Sequence, residues 1–213
     1  MKSDHYGGGT ANVEFQVYSG LPFYNYNSSI SSVYLDVAPN MKKFPSISDL
    51  YDESDRVAIH PYYDTSYNRN TIYKQLGIDR FYTLNSSQYP ITVADTDYQG
   101  NFVSDRKTYD LILDQVRSTD NKFVSAITMQ NHVQWNSSEP ATITATGQGF
   151  TAEENENLNS YVRLLSFTDQ ATRDFLDQLK TLDKKVTVVF YGDHLPGLYP
   201  ESAFVTDPSA QYK

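Results

Sequence analysis

The 213-residue sequence contains no cysteine and no long apolar run. The absence of cysteine excludes disulfide bonds, zinc–thiolate sites and cysteine nucleophiles. No stretch of about 18 apolar residues is present, so the sequence predicts no bilayer-spanning helix. The first residues also lack the apolar core of a signal peptide.

Positive charge is scarce as well. The chain has 17 basic and 26 acidic residues, which gives a net charge of −9. This balance argues against a non-specific nucleic-acid binder, because such proteins depend on basic patches. A small anionic substrate stays compatible with it, since a few local arginine, histidine or metal charges decide that kind of binding. Aromatic residues are plentiful: 18 tyrosines and 11 phenylalanines supply apolar area for one sizeable core.

Short apolar segments alternate with helical patterns along the chain. The predicted strands are 33–37, 56–60, 123–129 and 185–191. The predicted helices are 46–51, 68–76, 104–119 and 153–182, and polar loops are predicted at 82–101 and 134–149. This alternation predicts an α/β fold with a mostly parallel sheet flanked by helices. A doubly wound sheet has strands before a glycine-rich turn such as 7–9, so we expect a truncated piece of a larger domain.

The glycine run leads directly into Thr10, which is predicted to open a helix. Glycines allow close backbone approach, and a helix N-terminus favours negative charge. Thr10 is therefore a candidate nucleophile, activated if a metal lowers its pKa. The alternative is that Thr10 only caps the helix.

Asp193 and His194 follow the most apolar predicted strand, 185–191. Ligands of open α/β sheets gather at the carboxyl ends of strands, and one oxygen with one nitrogen ligand suits zinc or manganese. His132 follows strand 123–129 in the same way and could serve as an acid–base group. Each histidine could instead be an ordinary loop residue.

His60 ends strand 56–60, and Arg69 opens the helix that follows it. A guanidinium at a helix start is well placed for bidentate phosphate binding. The alternative for Arg69 is an ion pair with Asp64 or Asp79.

Seven short segments in this order resemble the lipoteichoic acid synthase family of the alkaline phosphatase and sulfatase superfamily, and together they cover nearly the whole chain. They are GGGTANVEF (7–15), FPSI (44–47), AIHPY (58–62), YNR (67–69), YKQLGID (73–79), MQNH (129–132) and YGDH (191–194).

The resemblance implies phosphoglycerol transfer from phosphatidylglycerol to a lipoteichoic-acid-type acceptor, either a glycerol-phosphate polymer or a glycolipid. Thr10 would form a covalent phosphothreonine and ligate a divalent metal together with Asp193 and His194. The metal expected is Mn²⁺, with Mg²⁺ or Zn²⁺ as alternatives. The residues expected to hold the glycerol-phosphate are His60, Tyr67, Arg69 and His132. The parent protein is expected in the cell membrane, with its catalytic domain outside the cell.

One metal ligand of the family has no counterpart here. It is a glutamate on a strand upstream of the nucleophile, and only nine residues precede Thr10. The membrane-embedded part and the last strands of the full family members have no counterpart either. We therefore expect 1–213 to be a single partial extracellular catalytic domain that binds metal weakly and has little or no activity.

Other activities stay open beside phosphoglycerol transfer. A sulfatase-like hydrolase or phosphodiesterase would release its product to water, but sulfatases use a Cys or Ser converted to formylglycine where this chain has Thr10. A phosphoethanolamine transferase shares the threonine nucleophile, although the spacing from His60 to Arg69 favours the phosphoglycerol branch. A non-catalytic ectodomain that recognises teichoic acid would keep the fold without the reaction.

Overall fold

The computed structural model describes residues 8–22, 25–27, 29–118, 121–137 and 142–199. The α-helices are α1 (Thr10–Ser19), α2 (Val33–Asp36), α3 (Arg69–Gln75), α4 (Asp105–Ser118) and α5 (Ala152–Lys180). The strands are β1 (Arg56–His60), β2 (Arg80–Thr83), β3 (Tyr98–Gln99), β4 (Phe102–Val103) and β5 (Phe123–Ala126). Single-turn 3₁₀ helices lie at Ala38–Asn40, Ile47–Leu50, Glu53–Asp55, Ser66–Asn68 and Asp95–Asp97.

The main sheet has the order β2-β1-β5, and both pairings are parallel. All five residues of the central strand β1 are buried. Because parallel strands end at the same edge, the residues after β1 and β5 lie side by side. Ile127, directly after β5, donates its backbone N–H to Ile59 at 3.0 Å. β3 and β4 form a separate antiparallel pair.

Helices cover both faces of this sheet. Ala58 lies in one apolar cluster with Phe15 of α1 and Ile72 of α3. Its neighbours in β1, Val57 and Ile59, lie in another cluster that includes residues of α4. Successive side chains of a strand point to opposite faces, so the helices form layers on either side. The predicted α/β fold with a parallel sheet flanked by helices is confirmed.

The long helices lie close to their predicted positions. α4 covers most of 104–119, and Ser104 caps it by accepting the Lys107 backbone N–H at 3.2 Å. α5 covers most of 153–182, with Thr151 and Glu154 forming a capping box. Its Phe175 stacks on Tyr109 of α4, with ring centroids 4.8 Å apart. Within the described ranges, no helix is both long and apolar enough to cross a membrane.

Two predicted strands are wrong. Segment 33–37 is mostly helical, because the carboxylate of Asp36 accepts the backbone N–H groups of Ser31 and Ser32 and closes a helical turn. Segment 185–191 pairs with no strand among the described residues, and Val189 and Phe190 are 67% and 65% exposed. The prediction also missed strand β2. Its first two residues lie before the predicted loop 82–101, and its last two lie within that loop.

Candidate active site

Thr10 is the first residue of α1 and is half-buried at its N-terminus. Gly9 caps the helix with a φ of 96°, a left-handed conformation that glycine adopts readily. The cap is therefore Gly9, and the alternative that Thr10 itself is the cap does not hold. The Thr10 hydroxyl instead donates to Asp193 Oδ2 at 2.6 Å, across 183 residues of sequence.

His194 completes a small group of metal-type donors at this point. Its Nδ1 donates to the Leu195 carbonyl at 3.0 Å, and its Nε2 lies 3.4 Å from Asp193 Oδ2. A ring nitrogen and a carboxylate oxygen this close are of the types that bind one metal ion together. Together with the Thr10 hydroxyl they form an oxygen–oxygen–nitrogen set that suits Mn²⁺ or Zn²⁺. Among the described residues, no three His, Cys, Asp or Glu side chains converge, so the set is small.

His60 is 2% exposed and has a partner on each ring nitrogen. Nδ1 lies 3.1 Å from the Ile127 carbonyl, and Nε2 lies 3.3 Å from Arg69 Nη1. A carbonyl accepts and a guanidinium donates, so this environment selects the neutral ring with its proton on Nδ1. Burial and then the positive charge of Arg69 lower the pKa of His60 to about 3.

Arg69 begins α3 and is 1% exposed. It forms an ion pair with Glu14 of α1, in which Nε donates to Oε2 at 2.9 Å and Nη2 lies 2.8 Å from the same oxygen. The alternative partners Asp64 and Asp79 are therefore not used. Nη2 is therefore buried against Glu14, while the Arg69 side chain lines the cleft described below.

Tyr67 lies beside Arg69 on a strained turn. Tyr67 and Asn68 have positive φ angles of 54° and 58°, which non-glycine residues adopt rarely. The guanidinium carbon of Arg69 lies 5.1 Å from the centroid of the Tyr67 ring. Such strain is often concentrated at functional sites, and here it occurs at the mouth of a cleft.

His132 is exposed on the loop after β5. Its ring meets the edge of Phe102 at a centroid distance of 5.4 Å. The loop is fastened to α5, since Gln130 donates to the Leu164 carbonyl at 3.0 Å. Nearby, Trp135 donates its ring N–H to the Asn131 carbonyl at 2.9 Å and meets the Tyr161 ring edge-on.

One cleft of about 210 Å³ brings most of these side chains together. Six of the seven predicted site residues line it: Thr10, His60, Tyr67, Arg69, His132 and Asp193. The seventh, His194, is next to the cleft, with its Nε2 3.4 Å from Asp193 Oδ2. Apolar side chains such as Tyr62, Phe102 and Met129 form the rest of the wall. The cleft therefore brings the hydroxyl of Thr10, the carboxylate of Asp193 and the basic side chains of Arg69 and His132 to one place.

The sequence prediction missed Glu14. A signal was available, because this acidic residue stands between the apolar residues Val13 and Phe15, four positions after the candidate nucleophile. That spacing places both side chains on one face of α1.

Comparison with known proteins places the chain in a family. The sulfatase family model matches residues 1–213. The chain belongs to the sulfatase family. Among solved sulfatase-family folds it is similar to the Streptococcus pyogenes phosphoglycerol transferase GacH in complex with sn-glycerol-1-phosphate, with 48% identity and a TM-score of 0.92. The match covers 100% of this chain and 55% of GacH.

Curated relatives agree with this placement. A Rhizobium meliloti protein whose name refers to cyclic beta-1,2-glucan modification is 28% identical over 220 residues, covering 99% of this chain and 33% of the relative. The lipoteichoic acid synthase of Staphylococcus saprophyticus is 25% identical over 157 residues, covering 72% of this chain and 23% of the synthase. This sulfatase-family chain thus spans a third or less of these two relatives. The resemblance to lipoteichoic acid synthases is confirmed.

Proposed function

We propose that this sulfatase-family chain is the catalytic part of a phosphoglycerol transferase that uses Thr10 as its nucleophile. The observation that carries the proposal is the 2.6 Å hydrogen bond between the Thr10 hydroxyl and Asp193, at a cleft lined by His60, Arg69 and His132. The likeness to GacH, which was solved with sn-glycerol-1-phosphate, supports glycerol-phosphate as the ligand.

The charges around the cleft favour a cation-dependent reaction. Glu14 offsets the charge of Arg69, and the low pKa of His60 keeps that ring neutral at physiological pH. The carboxylate of Asp193 then gives the cleft a negative charge, and this charge repels a phosphodiester. A divalent cation held by Thr10, Asp193 and His194 would lower the pKa of the threonine hydroxyl and offset charge on the phosphoryl oxygens. We propose Mn²⁺, with Mg²⁺ or Zn²⁺ as alternatives.

The remaining cleft residues would hold the glycerol-phosphate. Arg69 and His132 both line the cleft, and His132 is exposed at its wall. His60 has no free ring nitrogen in this arrangement, so we propose that it acts by holding Arg69. The ring of Tyr67 would cover the glycerol at the mouth of the cleft.

The proposed reaction has two balanced halves. In the first, Thr10 Oγ1 attacks the phosphorus of phosphatidylglycerol, the bond to diacylglycerol breaks, and the threonine proton leaves on the diacylglycerol hydroxyl. In the second, an acceptor hydroxyl attacks the same phosphorus, the bond between phosphorus and Thr10 Oγ1 breaks, and the proton of the acceptor hydroxyl passes to the threonine. The hydrogen bond to Asp193 directs the hydroxyl proton away from the attacking lone pairs.

The acceptor and the location follow from the same proposal. We propose that the acceptor is a hydroxyl of a cell-envelope glycerol-phosphate polymer or glycolipid, as the likeness to a lipoteichoic acid synthase suggests. A lipid donor requires work at a membrane surface, with the catalytic part on the outer side of the cell membrane. Nucleic acid is not a proposed partner, given the net charge of −9.

Covalent labelling tests the role of Thr10. Only three candidate metal ligands, Thr10, Asp193 and His194, lie together among the described residues. We therefore expect slow turnover, and a single-turnover measurement suits it. The chain is incubated with phosphatidylglycerol vesicles and Mn²⁺, and its intact mass and peptide masses are recorded. We expect one phosphoglycerol adduct on Thr10, a reduced amount in Thr10→Ser and none in Thr10→Ala. An adduct that persists in Thr10→Ala would falsify the assignment, and glycerol-phosphate binding without any adduct would favour a non-catalytic binding domain.

A further inference from the structure

We infer that Glu14 is a positioning residue for anion binding: it sets the orientation of the Arg69 guanidinium relative to Thr10. The inference rests on the proposed function, because it assumes that Arg69 contacts the glycerol-phosphate. Three features support it. Both oxygens of the Glu14 carboxylate are hydrogen-bonded, contacts with Glu14 and His60 hold Arg69 in place, and Glu14 lies on the same helix as Thr10.

Both oxygens of the Glu14 carboxylate accept hydrogen bonds from side chains inside the protein. Glu14 is 2% exposed. Oε2 accepts a hydrogen bond from Arg69 Nε. Oε1 accepts one from the Tyr73 hydroxyl at 2.5 Å and one from the Tyr34 hydroxyl at 3.1 Å. Both tyrosines are buried, so they hold the carboxylate from the core side. The carboxylate therefore has one orientation available to it.

Arg69 is constrained through this carboxylate. Nε and Nη2 are both directed at Glu14 Oε2, and Nη1 is directed at His60 Nε2. His60 is in turn anchored to the Ile127 carbonyl at the end of β5. A continuous series of contacts thus runs from α1 through the guanidinium to the sheet edge. The plane of the guanidinium is set by Glu14 and His60 together, and a bidentate anion contact depends on that plane.

Glu14 and Thr10 belong to the same rigid element. Both lie on α1, four residues apart, so they project from one helical face. A displacement of α1 would move the nucleophile and the anchor of Arg69 together. The distance between the attacking oxygen and the anion-holding group is thereby kept constant, and catalysis is sensitive to errors of about 1 Å in such distances.

The first experiment measures binding of sn-glycerol-1-phosphate in the presence of Mn²⁺ by titration calorimetry. We expect Glu14→Gln to weaken binding at least tenfold, because the guanidinium loses its charged anchor. Tyr34→Phe is the matched control, since it removes another buried hydrogen bond of the same carboxylate without touching Arg69; we expect its affinity to stay within twofold of wild type. Wild-type affinity in Glu14→Gln would overturn the inference.

A double-variant comparison separates positioning from general stability, and it serves if Glu14→Gln alone fails to fold. Removing both charges with Glu14→Gln and Arg69→Met avoids an unpaired buried charge. If Glu14 acts only through Arg69, the double variant binds sn-glycerol-1-phosphate as weakly as Arg69→Met alone. Further weakening in the double variant would mean that Glu14 contributes separately, which contradicts the inference.

A ligand-free measurement distinguishes failure of this inference from failure of the proposed function. The ¹⁵N chemical shift of His60 Nε2 at pH 7.5 reports whether Arg69 Nη1 donates to that nitrogen. We expect the Nδ1–H tautomer in both proteins, because the Ile127 carbonyl holds that proton, and a changed Nε2 shift in Glu14→Gln, because Arg69 Nη1 no longer faces Nε2. If wild type fails to bind sn-glycerol-1-phosphate, the proposed function fails and the Nε2 shift decides this inference. An unchanged Nε2 shift in Glu14→Gln overturns it.

Discussion

At the scale of single residues, His60 is a histidine that the fold keeps uncharged. Its pKa is lowered to about 3, first by burial and then by the positive charge of Arg69. An unfolded histidine has a pKa of about 6.5. Between these two values the unfolded chain binds a proton that the folded chain does not bind, so this residue makes stability rise with pH across that window.

His60→Gln should therefore flatten the acid side of the stability profile. We expect the free energy of unfolding of wild type to fall relative to that of the variant by up to about 1.4 kcal/mol per pH unit between pH 6 and pH 4. Urea denaturation of both proteins at several pH values measures this difference. Asp105, a buried carboxyl with a raised pKa, is present in both proteins, and its contribution cancels in the difference. Parallel profiles would show that the pKa of His60 is not lowered in the folded state.

At the scale of elements, the sequence predicted those that have a strong local signal. β1 is a short apolar run, and α4 and α5 have helical periodicity with capping residues. α2 was missed because side-chain contacts fix its helical turn: Asp36 accepts the N–H groups of Ser31 and Ser32, and Asn12 accepts the Val33 N–H. Segment 185–191 has strong β propensity, yet a strand also needs a hydrogen-bonded neighbour, and propensity alone does not provide one.

The turn between β1 and α3 gives an element-scale prediction. Asn68 has a φ of 58°, a conformation that costs a β-branched residue about 1–2 kcal/mol. We expect Asn68→Val to lower the free energy of unfolding by about that amount and Asn68→Gly to change it little. The control is Thr65→Val in the same turn, where φ is −73°. Equal losses at positions 65 and 68 would contradict an origin in the backbone conformation.

At the scale of the whole molecule, the sequence was informative about the site because parallel strands collect their following residues at one edge. His60 and His132 come from neighbouring strands, and both line the cleft. Thr10 and Asp193 were predicted only through the resemblance to the family to share a site. Their 183-residue separation carries no local signal of contact. The Glu14–Arg69 pair could not be foreseen either, since partner choice depends on which helices pack together.

Metal addition gives a prediction for the folded chain as a whole. A cation that binds only the folded state stabilises it by about 2.7 kcal/mol at a free concentration one hundred times its Kd. We expect Mn²⁺ to raise the midpoint of thermal unfolding in wild type, an excess of EDTA to reverse the shift, and Asp193→Asn to abolish it. Differential scanning calorimetry measures the midpoints. An equal rise in Asp193→Asn would place the bound Mn²⁺ somewhere other than beside Thr10.

The position of Trp135 has an optical consequence. It is the sole tryptophan of the chain, and it lies three residues after His132, hydrogen-bonded to the same loop and in edge contact with Tyr161. Selectively excited indole emission therefore originates from the loop that carries His132 and Val133 into the cleft wall. A ligand that shifts this loop should change the colour or intensity of that emission, so the native protein can signal occupancy in real time without an attached dye.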